Sequence, residues 1–248
     1  DFSKSEVVDY IYGQMRKILT EAPVSYIKWD MNRAFSEVFS NGNDRAYQGK
    51  VRHNYILGVY SLYERLIQEF PDVLFESCAS GGARFDPGML HYAPQAWTSD
   101  DTDAVERIKI QYGTSYVYPL SSMGSHVSAS PNHQIFRSTS LETRGNVAYF
   151  GTFGYELDIT KLTEKELEQM KEQITFMKQH RDLIQKGEFY RLESPFKGNQ
   201  AAWEVVAKDG SEGLMAYFRV RQPIQGKLER IYFSGLEETK AYEVRECF

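Results

Sequence analysis

Residues 53–70, HNYILGVYSLYERLIQEF, followed by Pro71-Asp72 and then Val73-Leu74-Phe75-Glu76-Ser77, decide the fold class. Ile56, Tyr60, Tyr63, Ile67 and Phe70 recur at helical spacing and put one apolar face on a helix. Pro71 ends that helix by restricting the residue before it, and the short apolar run behind it reads as a strand. The same switch recurs on both sides. Upstream, Ser3-x-x-Glu6 has the capping-box pattern for a helix carrying Val8, Ile11, Met15 and Ile18 on one face, and 24–29 reads as a strand. Downstream come a strand at 95–98, a helix after Asp103, a strand at 116–120, a helix over 138–150 and a strand at 155–159. A helix capped by Thr163-x-x-Glu166 then runs to about Arg181. Five β/α units of this kind imply an α/β fold with a parallel sheet and helices outside. A doubly wound sheet and part of a (β/α)8 barrel both satisfy that pattern.

After residue 184 the period changes to two. Strands are expected at 201–207, 214–220, 230–233 and 241–244, with Asp209-Gly210 as one of the turns between them. The expected organisation is therefore an α/β domain over 1–184 and a small antiparallel β domain, of sandwich type, over 185–248.

With 42% hydrophobic and 25% charged residues the chain has the composition of a globular protein, not of a disordered one. Its net charge of −5 and the lack of any Lys/Arg run argue against a nucleic-acid partner. No apolar stretch reaches the roughly 18 residues of a membrane span, so no membrane partner is expected either. Two cysteines, Cys78 and Cys247, form neither a disulfide framework nor a zinc spacing and suit a reducing, cytoplasmic setting. His126 and His133 lack a third ligand at metal spacing and read as loop or supporting residues. Ser80-Gly81-Gly82 lacks the Gly-Lys-Ser/Thr of a phosphate loop. No cofactor or metal is expected.

Chemistry in α/β folds gathers at the C-terminal ends of strands, and two carboxylates stand there: Asp30 in Lys28-Trp29-Asp30-Met31-Asn32-Arg33 and Asp100 in Trp97-Thr98-Ser99-Asp100-Asp101-Thr102-Asp103. Paired carboxylates are the equipment of glycoside hydrolysis, one attacking or activating water and one protonating the leaving oxygen. The residues by themselves favour a plainer reading, in which Asp30 and Asp103 cap the helices that follow.

Four motifs in order change that balance. Lys28-Trp29-Asp30-Met31-Asn32-Arg33 resembles the nucleophile motif of glycoside hydrolase family 36, and Cys78-Ala79-Ser80-Gly81-Gly82-Ala83-Arg84-Phe85-Asp86 resembles its Cys-x-x-Gly-Gly-x-Arg-Phe-Asp segment. Trp97-Thr98-Ser99-Asp100-Asp101-Thr102-Asp103 is similar to the third, with Asp101 where the family usually has Asn. Met123-Gly124-Ser125-His126-Val127-Ser128 with Pro131-Asn132-His133-Gln134 resembles a fourth. The resemblance implies the later part of a (β/α)8 TIM barrel followed by a C-terminal antiparallel β domain.

Its functional implication is a retaining α-galactosidase that removes terminal galactose from oligosaccharides such as melibiose and raffinose. Asp30 becomes the nucleophile and Asp100 the general acid/base. Lys28 and Asn32 become contacts to sugar hydroxyls, Cys78 and Gly81 face the 2-hydroxyl, and Trp97 either stacks on sugar or fills the barrel. Arg84 is expected to pair with Asp86 or Asp103 as scaffold. Two rivals differ in outcome: galactosyl transfer of the raffinose-synthase type, and a non-catalytic sugar-binding fragment. The family's earlier barrel strands are missing from these 248 residues. The segment is accordingly expected to hydrolyse poorly alone, and the full-length form to be a homo-oligomer.

Overall fold

A computed structural model describes residues 1–32, 36–222, 224–226 and 230–247, which leaves Arg33 of the first motif outside the described residues. Packing divides the chain into two compact units, Asp1–Trp97 and Thr98–Phe248.

The first unit runs α1 (Ser5–Glu21), β1 (Tyr26–Asp30), α2 (Val51–Glu69), β2 (Leu74–Cys78), α3 (Pro87–Tyr92) and β3 (Gln95–Trp97). Its strands are parallel, β1 beside β2 and β2 beside β3, with Lys28 opposite Glu76 and Asp30 opposite Cys78. The buried side of α2 is offset from the face read: of Ile56, Tyr60, Tyr63, Ile67 and Phe70 only Tyr63 is fully buried and the others are half-buried, whereas Val59, Leu62, Tyr63 and Leu66 are at most 2% exposed. They pack with Phe75 of β2 and with Ile27 and Trp29 of β1, the Trp29 and Tyr63 rings lying 5.2 Å apart. One face of β1 and β2 is thereby given to the helices, and alternation sends Lys28, Asp30, Glu76 and Cys78 to the other.

Two local readings need correction in this unit. Ser3 does not cap α1: the N-cap is Lys4, without a side-chain bond, and the Ser3 amide donates to Asp1 Oδ1 at 2.9 Å. The short helix α3, which periodicity misses, starts at Pro87 because Asp86 accepts from the Met89 amide at 2.9 Å.

The second unit runs α4 (Ala104–Thr114), β4 (Met123–Ser128), α5 (Leu141–Ala148), β5 (Thr152–Glu156), α6 (Glu164–Lys186), β6 (Glu188–Glu193), β7 (Gln200–Val206) and β8 (Gly213–Arg219). β4 and β5 pair in parallel, and β6, β7 and β8 form an antiparallel sheet in that order. The strand expected at 116–120 is not one. Tyr116 and Val117 are exposed, and the strand begins at Met123, where Met123, Ser125 and Val127 are fully buried. Local β propensity pointed to the aromatic run, but burial selected the Gly/Ser-containing segment after it. β5 likewise starts three residues earlier than expected. Segments 230–233 and 241–244 form no strand, because neither finds a ladder partner among the described residues. Side chains hold that stretch instead, the Ser234 amide donating to Glu204 and Tyr242 Oη to the Gly210 carbonyl at 2.7 Å.

Trp203, 1% exposed on β7, anchors the antiparallel sheet within this unit. Its ring lies 4.8 Å from Phe218 of β8, 5.8 Å from Phe150 after α5 and 6.4 Å from Tyr112 of α4. The longest helix, α6, opens with the capping box read from sequence: Thr163 Oγ1 accepts from the Glu166 amide while Glu166 accepts from the Thr163 amide at 2.9 Å. Thr163→Ala should lower stability by about 1 kcal/mol, read as a lower urea midpoint at unchanged m-value. A midpoint equal to that of the parent protein would contradict the cap.

Candidate active site

The three strands of the first unit end at Asp30, Cys78 and Trp97, so their C-terminal edge carries three of the residues singled out by motif. Asp30 is exposed and held by one neighbour just beyond β1 and one on β2. Asn32 Nδ2 donates to Asp30 Oδ2 at 2.9 Å, and the Cys78 thiol, opposite it in the ladder, also hydrogen-bonds the carboxylate. Asn32 spans the gap to the next loop, since its Oδ1 accepts the Ser80 amide at 2.7 Å. The Met31 amide donates to the Cys78 carbonyl at 2.8 Å and extends the β1–β2 ladder by one bond. Among the described residues Asp30 caps no helix; its carboxylate belongs to this strand-end cluster.

Cys78 is 5% exposed. Burial pushes its thiol up, to about 11, and the Asp30 carboxylate adds to the rise, while a hydrogen bond from the Gly81 backbone opposes it. A protonated thiol is thus a donor toward Asp30 at neutral pH. Ser80 and Gly81 make the turn after β2 with φ of 49° and 75°. That left-handed conformation suits glycine, and it points the Gly81 carbonyl to the Ala79 amide at 3.0 Å. Arg84 Nε donates to the Met31 carbonyl at 3.3 Å. It therefore braces the backbone after Asp30, a scaffold role reached through a carbonyl, whereas Asp86 caps α3 and Asp103 accepts from Arg137.

Lys28 and Trp97 meet on the inner face. The Lys28 ammonium sits 4.5 Å from the centre of the Trp97 ring, which is 2% exposed and fills space beneath it. Behind them stands Glu76, which motif reading left out. It accepts from Tyr26 Oη and from Gln95 Nε2 at 3.1 Å, and its Oε1 is 3.7 Å from Lys28 Nζ. A charged residue inside the apolar strand Leu74-Phe75-Glu76-Ser77-Cys78 was the signal available for it.

The second unit holds Asp100 in an irregular segment braced by side chains. Asp100 is exposed. Asp101 is half-buried, and its Oδ1 accepts the Asp103 amide at 3.1 Å. Asp103 caps α4, accepting the Val105 and Glu106 amides at 3.0 and 3.1 Å. The fourth motif reaches this segment directly: Asn132 Nδ2 donates to Thr102 Oγ1 at 3.0 Å and the Thr102 amide to Gln134 Oε1 at 3.2 Å. Arg107, 2% exposed, donates to the carbonyls of Ser99 and Gly124 at 3.2 and 2.6 Å. Burial lowers its guanidinium to about 10, with Asp101 and Glu156 acting against the fall. His126 lies 3.4 Å from Glu156, and His133 is exposed on the same loop as Asn132.

The sequence profile of the Melibiase family matches residues 1–187, and that of the glycosyl hydrolase family 36 C-terminal domain matches residues 200–247. The chain belongs to glycoside hydrolase family 36. Among curated relatives, this family 36 chain is 54% identical over 244 residues to alpha-galactosidase AgaA of Geobacillus stearothermophilus, covering 98% of the chain and 34% of that protein. It is 44% identical to alpha-galactosidase Mel36A of Lactobacillus acidophilus, covering 98% and 33%. The crystal structure of AgaA superposes with a TM-score of 0.93 over 96% of the chain and 33% of its own. The family 36 chain thus spans about a third of the length of these relatives. Its fold is the C-terminal portion of a TIM barrel followed by an antiparallel β sheet. No helix among the described residues is long and apolar enough to cross a membrane.

The Asp30–Cys78 contact has a direct readout. In a Cys247→Ser background, the alkylation rate of Cys78 by iodoacetamide should still be climbing at about pH 10, beyond the ~8.5 of a free thiol. Asp30→Asn removes a charge that raises the thiol and should move the profile to lower pH. An unchanged profile would remove the contact.

Proposed function

We propose that the protein to which this chain belongs is a retaining α-galactosidase, with Asp30 as nucleophile and Asp100 as general acid/base. The observation that carries the reading is the exposed Asp30 carboxylate at a parallel strand's C-terminal end, oriented by the Asn32 amide and the Cys78 thiol. A nucleophile must be ionised and held still, and one donor at the end of the ladder with another just beyond it serve both needs. Between the adjacent acids, Asp101 is committed to the turn before α4, and the exposed Asp100 is the one able to reach a substrate.

The relatives supply independent support. Crystal structures of AgaA contain raffinose in one variant and stachyose in another, each with an aspartate replaced. The two replaced aspartates are as far apart in that sequence as Asp30 and Asp100 are in this one. On this reading the substrate is a galactose-containing oligosaccharide of the raffinose type, and melibiose carries the same terminal α-linked galactose.

Ionised Asp30 attacks the anomeric carbon while protonated Asp100 gives its proton to the departing oxygen, leaving a β-linked galactosyl enzyme. Asp100 then takes a proton from water, which cleaves that ester from the face the leaving group vacated, so configuration is retained. Lys28 and Asn32 meet sugar hydroxyls. Cys78 and Gly81, a small thiol and a bare backbone, leave room for a 2-hydroxyl. Residues 1–184 supply the barrel part and 185–248 the C-terminal β domain. The two free thiols, one buried and one exposed, suit a cytoplasmic setting.

In the full-length protein, Asp30→Gly rescued by azide should release β-galactosyl azide, and Asp100→Gly should release the α anomer, because the anion fills whichever carboxylate's place is vacated. NMR of the products decides, and reversed anomers would exchange the two roles. In a substrate complex the two carboxyl groups should lie about 5–5.5 Å apart.

A further inference from the structure

Glu76 is a buried carboxylate that none of the four motif roles employs. It is 1% exposed, in the middle of β2, on the face that also carries Cys78, and directly opposite Lys28 in the ladder. Taking a carboxylate out of water costs several kcal/mol, and packing alone gives no reason to do so, since an apolar residue in place of a buried ion pair is often neutral or stabilising. The surroundings show what the charge is directed at. Oε2 is satisfied by Tyr26 and Gln95, from the strands on either side. Oε1 has no hydrogen-bond donor among the described residues, and the Lys28 ammonium stands 3.7 Å from it.

Lys28 is itself held between this carboxylate and the Trp97 ring. Its side chain keeps 33% of its surface exposed. A lysine on a flexible stem has many rotamers, and a fixed charge behind it with a ring beneath it selects one while leaving the other ammonium protons available.

We propose that Glu76 is a positioning residue: through its Oε1 it holds the Lys28 ammonium above Trp97 in the orientation that meets the sugar, with Tyr26 and Gln95 fixing the carboxylate. This rests on the reading of Lys28 as a substrate contact. Glu76 does not touch substrate; its effect on catalysis passes through Lys28.

The test is a double-mutant cycle in the full-length protein, with kcat/KM measured on p-nitrophenyl α-galactoside. Glu76→Gln keeps the size of the side chain and removes its charge. It should lower kcat/KM about 10- to 100-fold in the parent protein, the range for a lost bond to a charged group, and less than about threefold in a Lys28→Met background. A merely structural Glu76 would cost the same factor in both backgrounds, and that result, or a Glu76→Gln protein as active as the parent, would overturn the proposal. Tyr26→Phe, at a part-exposed position, gives a second cycle that holds if Glu76→Gln does not fold. Its smaller loss, about three- to tenfold, should vanish with Lys28→Met, and additive losses there would also overturn the proposal. The underlying reading fails separately: an undiminished Lys28→Met protein would remove Lys28 from the site, and a parent protein without α-galactosidase activity would remove the site itself.

Discussion

Parallel pairing of β1 with β2 sets Lys28 beside Glu76 and Asp30 beside Cys78, and the candidate chemistry of the first unit depends on that register. A one-residue slip of β1 would turn Lys28 and Asp30 toward the helices and bring Trp29 into the site, and a slip of β2 would do the same to Glu76 and Cys78 with Phe75. What prevents it is apolar. Trp29, Ile27 and Phe75 pack with the buried face of α2, so moving the ladder would tear the core open. The core and the site are opposite faces of the same strands, and the burial that stabilises one orients the other.

The second unit solves the same problem with side chains. The segment bearing Asp100 lies outside regular structure, so its carbonyls and amides have no ladder to use. Arg107, Thr102, Asn132 and Gln134 take that place, and the fourth motif is thereby explained as a brace for the third. A buried arginine donating to two backbone carbonyls is an expensive support, because its charge is taken out of water. Such a cost is consistent with a loop whose exact course matters. Division of labour follows within the sequence Asp100-Asp101-Thr102-Asp103. Asp101 and Asp103 shape the turn and cap α4, and Asp100 is left to the surface.

The buried inner-face cluster of the first unit shows how little a motif conveys of its own supports. Lys28 and Trp97 belong to motifs, and their contact was not legible in either. Glu76, Tyr26 and Gln95 come from three strands that are far apart in the chain, and they meet because β2 lies between the other two.

Sequence by itself determined the α/β alternation, the antiparallel segment after it, the Asp103 and Thr163 helix starts and the family-level motifs. All of these are encoded within a few neighbouring residues: helical periodicity in 53–70, a side-chain oxygen facing amides two or three positions on, a fixed string such as Cys78 to Asp86. Tertiary structure alone decided which apolar run is the strand. It chose Met123–Ser128 over the aromatic stretch before it, because the choice turns on burial and not on propensity. It also denied strands to 230–233 and 241–244, since period-two alternation prepares a face and cannot supply a ladder partner. It made Glu76 a neighbour of Lys28 and Cys78 a donor to Asp30, contacts between residues some 48 positions apart. Register is a property of two segments packed against a third, and no single segment carries it.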